Sequence, residues 1–211
     1  MGKSGRSLWT QKVLEGKTSD GVSELGAWIS KTRTAKTERK FAQAQRNMRG
    51  KQMRGIVLGI DPSLRGTGLA VIESLGDGSL RYIDSLTVKN HPKLSMPECL
   101  ARILKETLAM IDRNSPDCVA IEQSVYVQNF RTAMILGSAR GAAIAAAASK
   151  KLNVFEYPPL RIKQAVIGYG RASKEQIARS VAGIVAGAAV LPSDEADAAG
   201  AAIAHIFTHK E

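Results

Sequence analysis

The chain has 211 residues, 44% of them hydrophobic and 5% aromatic, with 30 Lys and Arg against 19 Asp and Glu, which suits one buried core plus an appendage rather than two full domains. Its longest apolar stretch, residues 181–191, holds two glycines and falls well short of the roughly 20 residues that span a bilayer. Cys99 and Cys118 stand nineteen positions apart without a second pair, which excludes a disulfide scaffold and a structural zinc site and fits a reducing, cytoplasmic setting.

The net charge of +11 is unevenly placed: residues 1–54 carry thirteen basic side chains and four acidic ones, residues 55–211 seventeen and fifteen. The first segment, with its polar run Lys31-Thr-Arg-Thr-Ala-Lys-Thr-Glu-Arg-Lys40, cannot bury enough surface to offset its ordering entropy, so residues 1–53 read as a flexible basic extension. Two readings of it stand. It is an arm for an anionic polymer, or it lies upstream of the natural start, since Met48 and Met53 immediately precede the first strand. It has no compact apolar stretch of the kind that marks an export signal.

From Arg54 the pattern changes. Gly55-Ile-Val-Leu-Gly-Ile60 is a short apolar strand closed by Asp61-Pro62, and residues 67–75 and 80–88 read as two further antiparallel strands around the turn Gly76-Asp-Gly-Ser79. Ser95-Met-Pro-Glu98 has capping-box spacing, and Leu100, Ile103, Leu104, Leu108 and Ile111 recur at helical period up to Asn114. Cys118-Val-Ala-Ile121 reads as a strand buried on both faces and ending in Glu122. Residues 132–149, rich in Ala and Gly, predict a helix packed very close to the sheet, and residues 153–157 a fifth strand. Three helices finish the chain, over 159–167, 173–189 and 193–208. The order βββαβαβααα implies an α/β domain over residues 54–211, a mixed five-stranded sheet with helices on both faces.

In such sheets chemistry gathers at the carboxyl ends of strands, where Asp61 and Glu122 both lie. Asp194 and Asp197 are three apart on the last helix and share a face. Asp194 and Glu195 are accounted for by the helix dipole alone, but Asp197 lies deeper, among small residues expected to be buried, where an unpartnered acid is expensive. Four acids converging from two strand ends and one helix repel one another unless divalent cations neutralise them, which is the logic of a two-metal phosphodiesterase site. His205 and His209, one turn apart without a third ligand nearby, read as an exposed helix end.

Gly59-Ile-Asp61-Pro-Ser-Leu-Arg-Gly-Thr-Gly68, Ala120-Ile-Glu122-Gln123, Gly137-Ser-Ala-Arg-Gly141, Phe155-Glu-Tyr157, Lys163-Gln164 and Asp194-x-x-Asp197 with the Ala-rich run to His205 together resemble the RuvC family of Holliday-junction resolvases, in one register from about Arg54 onward. The resemblance implies an RNase H-like fold, a homodimer, two Mg²⁺ per subunit, paired nicking of four-way DNA junctions, and the branch-migration proteins RuvA and RuvB as partners. By position it makes Asp61, Glu122, Asp194 and Asp197 the metal-binding catalytic acids. Asp61 would bridge the two ions, Glu122 and Asp197 complete one each, and Asp194 orient the attacking water. Lys163 and Lys174 take the places of basic residues near the scissile phosphate and DNA backbone. Where the family often has a base-stacking aromatic, three positions beyond Glu122, this chain has Val125 followed by Tyr126. Tyr126 is the substitute stacking group, or it packs at a loop or dimer edge.

Three other readings are set against this one. An actin-like ATPase would use Asp61-x-x-x-x-Gly-x-Gly68 as a phosphate hairpin, but needs a second lobe that about 150 residues cannot supply. A non-catalytic DNA-binding module would have no use for four acids. A related RNase H-like nuclease acting on another branched or RNA-containing substrate is not separated by fold alone.

Overall fold

The computed structural model describes residues 53–123, 129–168 and 173–209, apart from the Lys174 side chain. The basic extension at 1–52 and the loop with Val125 and Tyr126 lie outside the described residues.

Strands β1 (Arg54–Asp61), β2 (Gly66–Leu75) and β3 (Leu80–Lys89) form an antiparallel meander. Gly76 (φ +82°) and Gly78 (φ +93°) turn the chain between β2 and β3, and Asp77 accepts the Ser79 N–H at 2.8 Å. Helix α1 (Met96–Asn114) crosses to β4 (Cys118–Glu122), which pairs parallel with β1. The expected cap is present: the Glu98 carboxylate accepts the Ser95 N–H at 2.7 Å and its hydroxyl at 2.6 Å. Helix α2 (Phe130–Ser149) starts two residues earlier than its composition suggests, because Asn129 accepts the Thr132 N–H and so caps it. Then come β5 (Asn153–Tyr157), α3 (Pro159–Ile167), α4 (Lys174–Ile184), β6 (Val185–Ala186) and α5 (Ser193–Thr208).

The sheet has six strands in the order β5-β4-β1-β2-β3-β6, one more than the sequence predicts. The single helix expected over residues 173–189 ends instead at Ile184, and Val185–Ala186 pair in parallel with Leu80 and Arg81. The β-branched Ile184-Val185 step fits a strand better than a helix, and Gly187 (φ +81°) then takes the backbone away.

Helices cover both faces. Leu58, Ile60, Leu69, Val71, Val119 and Ile121 face α1 and α2, whereas Val57, Ala70, Ile72, Cys118 and Ala120 face α3, α4 and α5. That alternation is the period-two parity of strands. The helix that rides closest on the sheet is α5, not α2. A Cβ on Gly137 or Gly141 of α2 would meet nothing within 4 Å, whereas a Cβ on Gly59 would lie 1.9 Å from the Ala198 carbonyl oxygen and one on Gly68 the same distance from that of Asp194. The backbone of α5 therefore rests on β1 and β2 where two glycines leave room, and Ala198, Ala199, Ala201 and Ala202 are wholly buried there. Among the described residues no helix is long and apolar enough to cross a membrane.

Candidate active site

Strand register brings the first two acids together. Ile60 pairs with Ile121 in the parallel β1–β4 ladder, so Asp61 and Glu122 follow side by side on strands about 4.8 Å apart. Ile60 and Ile121 face α1 and α2. The next residue on each strand faces the other side, where α5 lies. Helix α5 then delivers Asp197 to the same place: Asp61, Glu122 and Asp197 line one cavity of about 210 Å³ together with Pro159, Ile162, Lys163 and Ile177. Lys163 reaches it from α3, half-buried beside Ile162, which is 3% exposed.

Asp194 stands beside this cavity rather than in its lining. Its carboxylate lies over the start of β2, where a Cβ on Gly66 would come within 2.8 Å of Oδ2. Lys174 opens α4, its side chain outside the described residues, as is Tyr126. The structure thus gathers four of the seven predicted site residues into one cavity and sets a fifth next to it. The apolar wall of Pro159, Ile162 and Ile177 was not singled out from sequence, because it follows only from how α3 and α4 fold back over the strand ends.

The donors are carboxylates, hard oxygen ligands of the kind Mg²⁺ prefers, with neither thiolate nor imidazole among the lining residues. Among the described residues no three His, Cys, Asp or Glu side chains are grouped so as to hold an ion between them. The fit of the acids to a metal rests on donor chemistry and on the cavity that Asp61, Glu122 and Asp197 share.

The histidines differ from expectation. His205 is 1% exposed rather than at a solvated helix end. Its Nε2 lies 3.3 Å from Cys118 Sγ and its Nδ1 2.8 Å from the Tyr157 hydroxyl, and its ring stacks on His209 at 4.6 Å. Burial, with the neighbouring His209 adding to it, pushes the His205 pKa down to about 4. Burial, with Asp117 nearby, pushes the Cys118 thiol up to about 11, so both groups are neutral near pH 7. Tyr157 is the register partner of Glu122, and the Gln123 N–H donates to its carbonyl at 2.8 Å. The cluster therefore joins α5 to β4 and β5 just behind the acidic cavity.

The family model described as crossover junction endodeoxyribonuclease RuvC matches residues 57–205. The curated RuvC of Cupriavidus metallidurans is 42% identical over 149 residues, 71% of this chain and 82% of that protein. That of Alkaliphilus oremlandii is 39% identical over 154 residues, 72% and 93% of the two chains. Among solved structures, Thermus thermophilus RuvC in complex with a Holliday junction substrate superposes with a TM-score of 0.68 at 34% identity, covering 72% of this chain and 93% of that one. The yeast mitochondrial Holliday junction resolvase, 13% identical with a TM-score of 0.55 over 77% of this chain and 83% of that one, shares the fold. With the match beginning in β1 and ending on His205 of α5, and so enclosing both strand ends and the helix that form the cavity, the chain belongs to the RuvC family of crossover junction endodeoxyribonucleases.

Proposed function

We propose that this chain resolves four-way DNA junctions by Mg²⁺-dependent hydrolysis at the cavity between β1, β4 and α5. The observation that carries the reading is the convergence of Asp61, Glu122, Asp197 and Lys163 on one cavity. Asp61, Glu122, Asp194 and Asp197 would hold two Mg²⁺ ions per subunit. Bound there, the metal supplies a water of lowered pKa and neutralises charge on the phosphate, so no side-chain base of unusual pKa is needed. The ammonium of Lys163 offsets charge on the scissile phosphate as it passes into the transition state, and Pro159, Ile162 and Ile177 keep bulk water from that side of the cavity. Cleavage leaves a 5′-phosphate and a 3′-hydroxyl. Lys174 contacts the DNA backbone, and Tyr126 stacks on a base at the opened crossover.

The active form is a homodimer, since two equivalent sites related by a two-fold axis match the two equivalent strands of a junction. Support comes from α2, where Phe130 (79% exposed) and Met134 (55%) stand in line with Gly137 and Gly141 and the open space beside them. A second helix can approach such a stripe closely. Residues 54–211 form the catalytic domain, consistent with the span of the family match, and residues 1–53 are a basic extension that adds DNA affinity. RuvA and RuvB supply the junction, in the cytoplasm.

The test is Mg²⁺-dependent cutting of a synthetic four-way junction compared with a linear duplex of the same sequence. Symmetric paired nicks in the junction alone are expected. Asp61→Asn keeps shape but removes a charge, so it should abolish nicking while junction affinity stays within a few-fold. Appreciable cutting by that variant would refute the assignment of the acids.

A further inference from the structure

Helix α5 carries two of the four acids, and its roll about its own axis decides where they point. Its N-cap is Pro192, which offers no side-chain cap. The first turn is held from elsewhere. The carboxylate of Glu195 accepts a hydrogen bond from Ser85 Oγ at 2.5 Å through Oε2 and from Thr87 Oγ1 at 2.9 Å through Oε1. Ser85 in turn shares a hydrogen bond with the Tyr82 hydroxyl at 2.9 Å. All three hydroxyls belong to β3.

The sheet register shows what this contact does. Asp61 pairs with Gly68 and Gly68 with Thr87, so the three form one row across β1, β2 and β3. The first turn of α5 lies over that row. Its backbone touches the row at Gly68, where the Asp194 carbonyl oxygen leaves no room for a Cβ. Glu195 reaches down to the row at Thr87, on one side of that point, and Asp197 reaches the cavity shared with Asp61, on the other. The helix has a second seat one turn on, where Ala198 lies over Gly59 of β1, and on the β3 side its first turn is tied by the two hydrogen bonds of Glu195.

We infer that Glu195 is a positioning residue, whose two hydrogen bonds to β3 set the roll of α5 that places Asp197 in the cavity at the ends of β1 and β4 and Asp194 beside it, over the start of β2. This rests on the reading of the cavity given above. It separates Glu195 from its neighbours Asp194 and Asp197: three acids within one turn, of which one is bound to hydroxyls on the far strand and serves geometry. Glu195 itself has no contact with substrate in this scheme.

The test uses the full chain and five variants, Glu195→Ala, Glu195→Gln, Thr87→Val, the double variant Ser85→Ala/Thr87→Val and the triple variant that joins the double to Glu195→Ala. It reads single-turnover cleavage of a four-way junction in Mg²⁺, junction affinity without divalent metal, and Mn²⁺ affinity of the free protein by electron paramagnetic resonance. Misplacement of catalytic groups by about 1 Å costs up to about a hundredfold in rate. Glu195→Ala should therefore cut about ten- to a hundredfold more slowly and bind Mn²⁺ several-fold more weakly, with junction affinity unchanged. Glu195→Gln, whose amide still pairs with two rotatable hydroxyls, should return both values to near wild type. The strand double variant should reproduce Glu195→Ala, and adding it to Glu195→Ala should cost nothing more, because both remove one interaction. Wild-type cleavage and Mn²⁺ affinity in Glu195→Ala, with only a lowered melting temperature, would overturn the inference. If the larger changes do not fold, Thr87→Val decides alone: it removes one of the two bonds and should slow cutting measurably, and an unchanged rate counts against the proposal. A wild-type chain that leaves the junction uncut would overturn the functional reading instead, and the Mn²⁺ comparison would still judge Glu195.

Discussion

Replacing Gly68 with alanine tests how closely the chemistry depends on the seat of α5. Gly68 does not have a positive φ, so its backbone accepts an L-residue and the whole effect comes from space. The added Cβ would lie 1.9 Å from the Asp194 carbonyl oxygen, 2.4 Å from the carbonyl carbon and 3.2 Å from the Glu195 nitrogen, and real Cβ atoms essentially never come within 3.0 Å of another heavy atom. The neighbours are backbone and no side chain can swing away, so the start of α5 must retreat by about 1 Å or more. Overpacking of this kind costs about 1–3 kcal/mol of stability, and the same displacement carries Asp194 and Asp197 from their places, for up to about a hundredfold loss of rate. Single-turnover cleavage of a four-way junction beside a thermal melt measures both. Gly183→Ala is the control: a Cβ there meets nothing within 4 Å on α4, so it should stabilise by up to about 1 kcal/mol and leave cleavage alone. A Gly68→Ala protein with wild-type rate and wild-type melting temperature would refute the reasoning.

Two further outcomes are expected. His205 is held near pKa 4, chiefly by burial, against about 6.5 in an unfolded chain. Its neutral form therefore contributes fully above pH 6.5, and that stability is lost as the pH falls from 6.5 toward 4, at a slope of up to about 1.4 kcal/mol per pH unit. Thermal melts should show His205→Gln less stable at pH 7 but flatter across that window, and a variant that keeps the wild-type slope would exclude His205 as the source. Deleting residues 1–52 should weaken binding to junction and linear DNA alike, because interactions with the DNA backbone carry little sequence information. The plot of log K against log salt should flatten by about 0.9 for each phosphate that the extension neutralises, and an unchanged slope would mark the extension as inert.

Much of the fold was legible because its signals are local. Apolar runs closed by Asp61 and Glu122, the Ser95 capping box and the Gly76-to-Ser79 turn place the described elements other than α4 and β6 to within a residue or two. That Asp61, Glu122 and Asp197 share one cavity was legible too, from strand ends and the place of the last helix, whereas Asp194, expected on the same helix face, stands beside it. What escaped depended on interactions between distant parts of the chain. The two-residue β6 exists only because β3 offers it an edge. The close packing expected of α2 belongs to α5, and composition cannot distinguish the two, because both are rich in alanine and only the glycines of the facing strands settle which helix lies flush. His205 looked terminal in sequence, but Phe155 and Tyr157 of β5 close over it. Glu195 resembled an ordinary first-turn acid until Ser85 and Thr87, more than a hundred residues earlier, took it as a partner.

The place of α5 in chain order bears on how the enzyme comes into being. It follows every other described element, yet it supplies two of the four acids and much of the interior on its side of the sheet. During synthesis at about 5–20 residues per second, the nascent chain has its meander, both halves of the carboxylate pair on β1 and β4, and the lysine of α3 before any part of α5 has been made. Until that helix docks, the face of the sheet that it shares with α3 and α4 is only partly covered, and the proposed set of acids is incomplete. On the proposed assignment of the acids, a single late docking event closes the core and completes the site together, and a chain cut before it would have neither a finished fold nor the full set of acids.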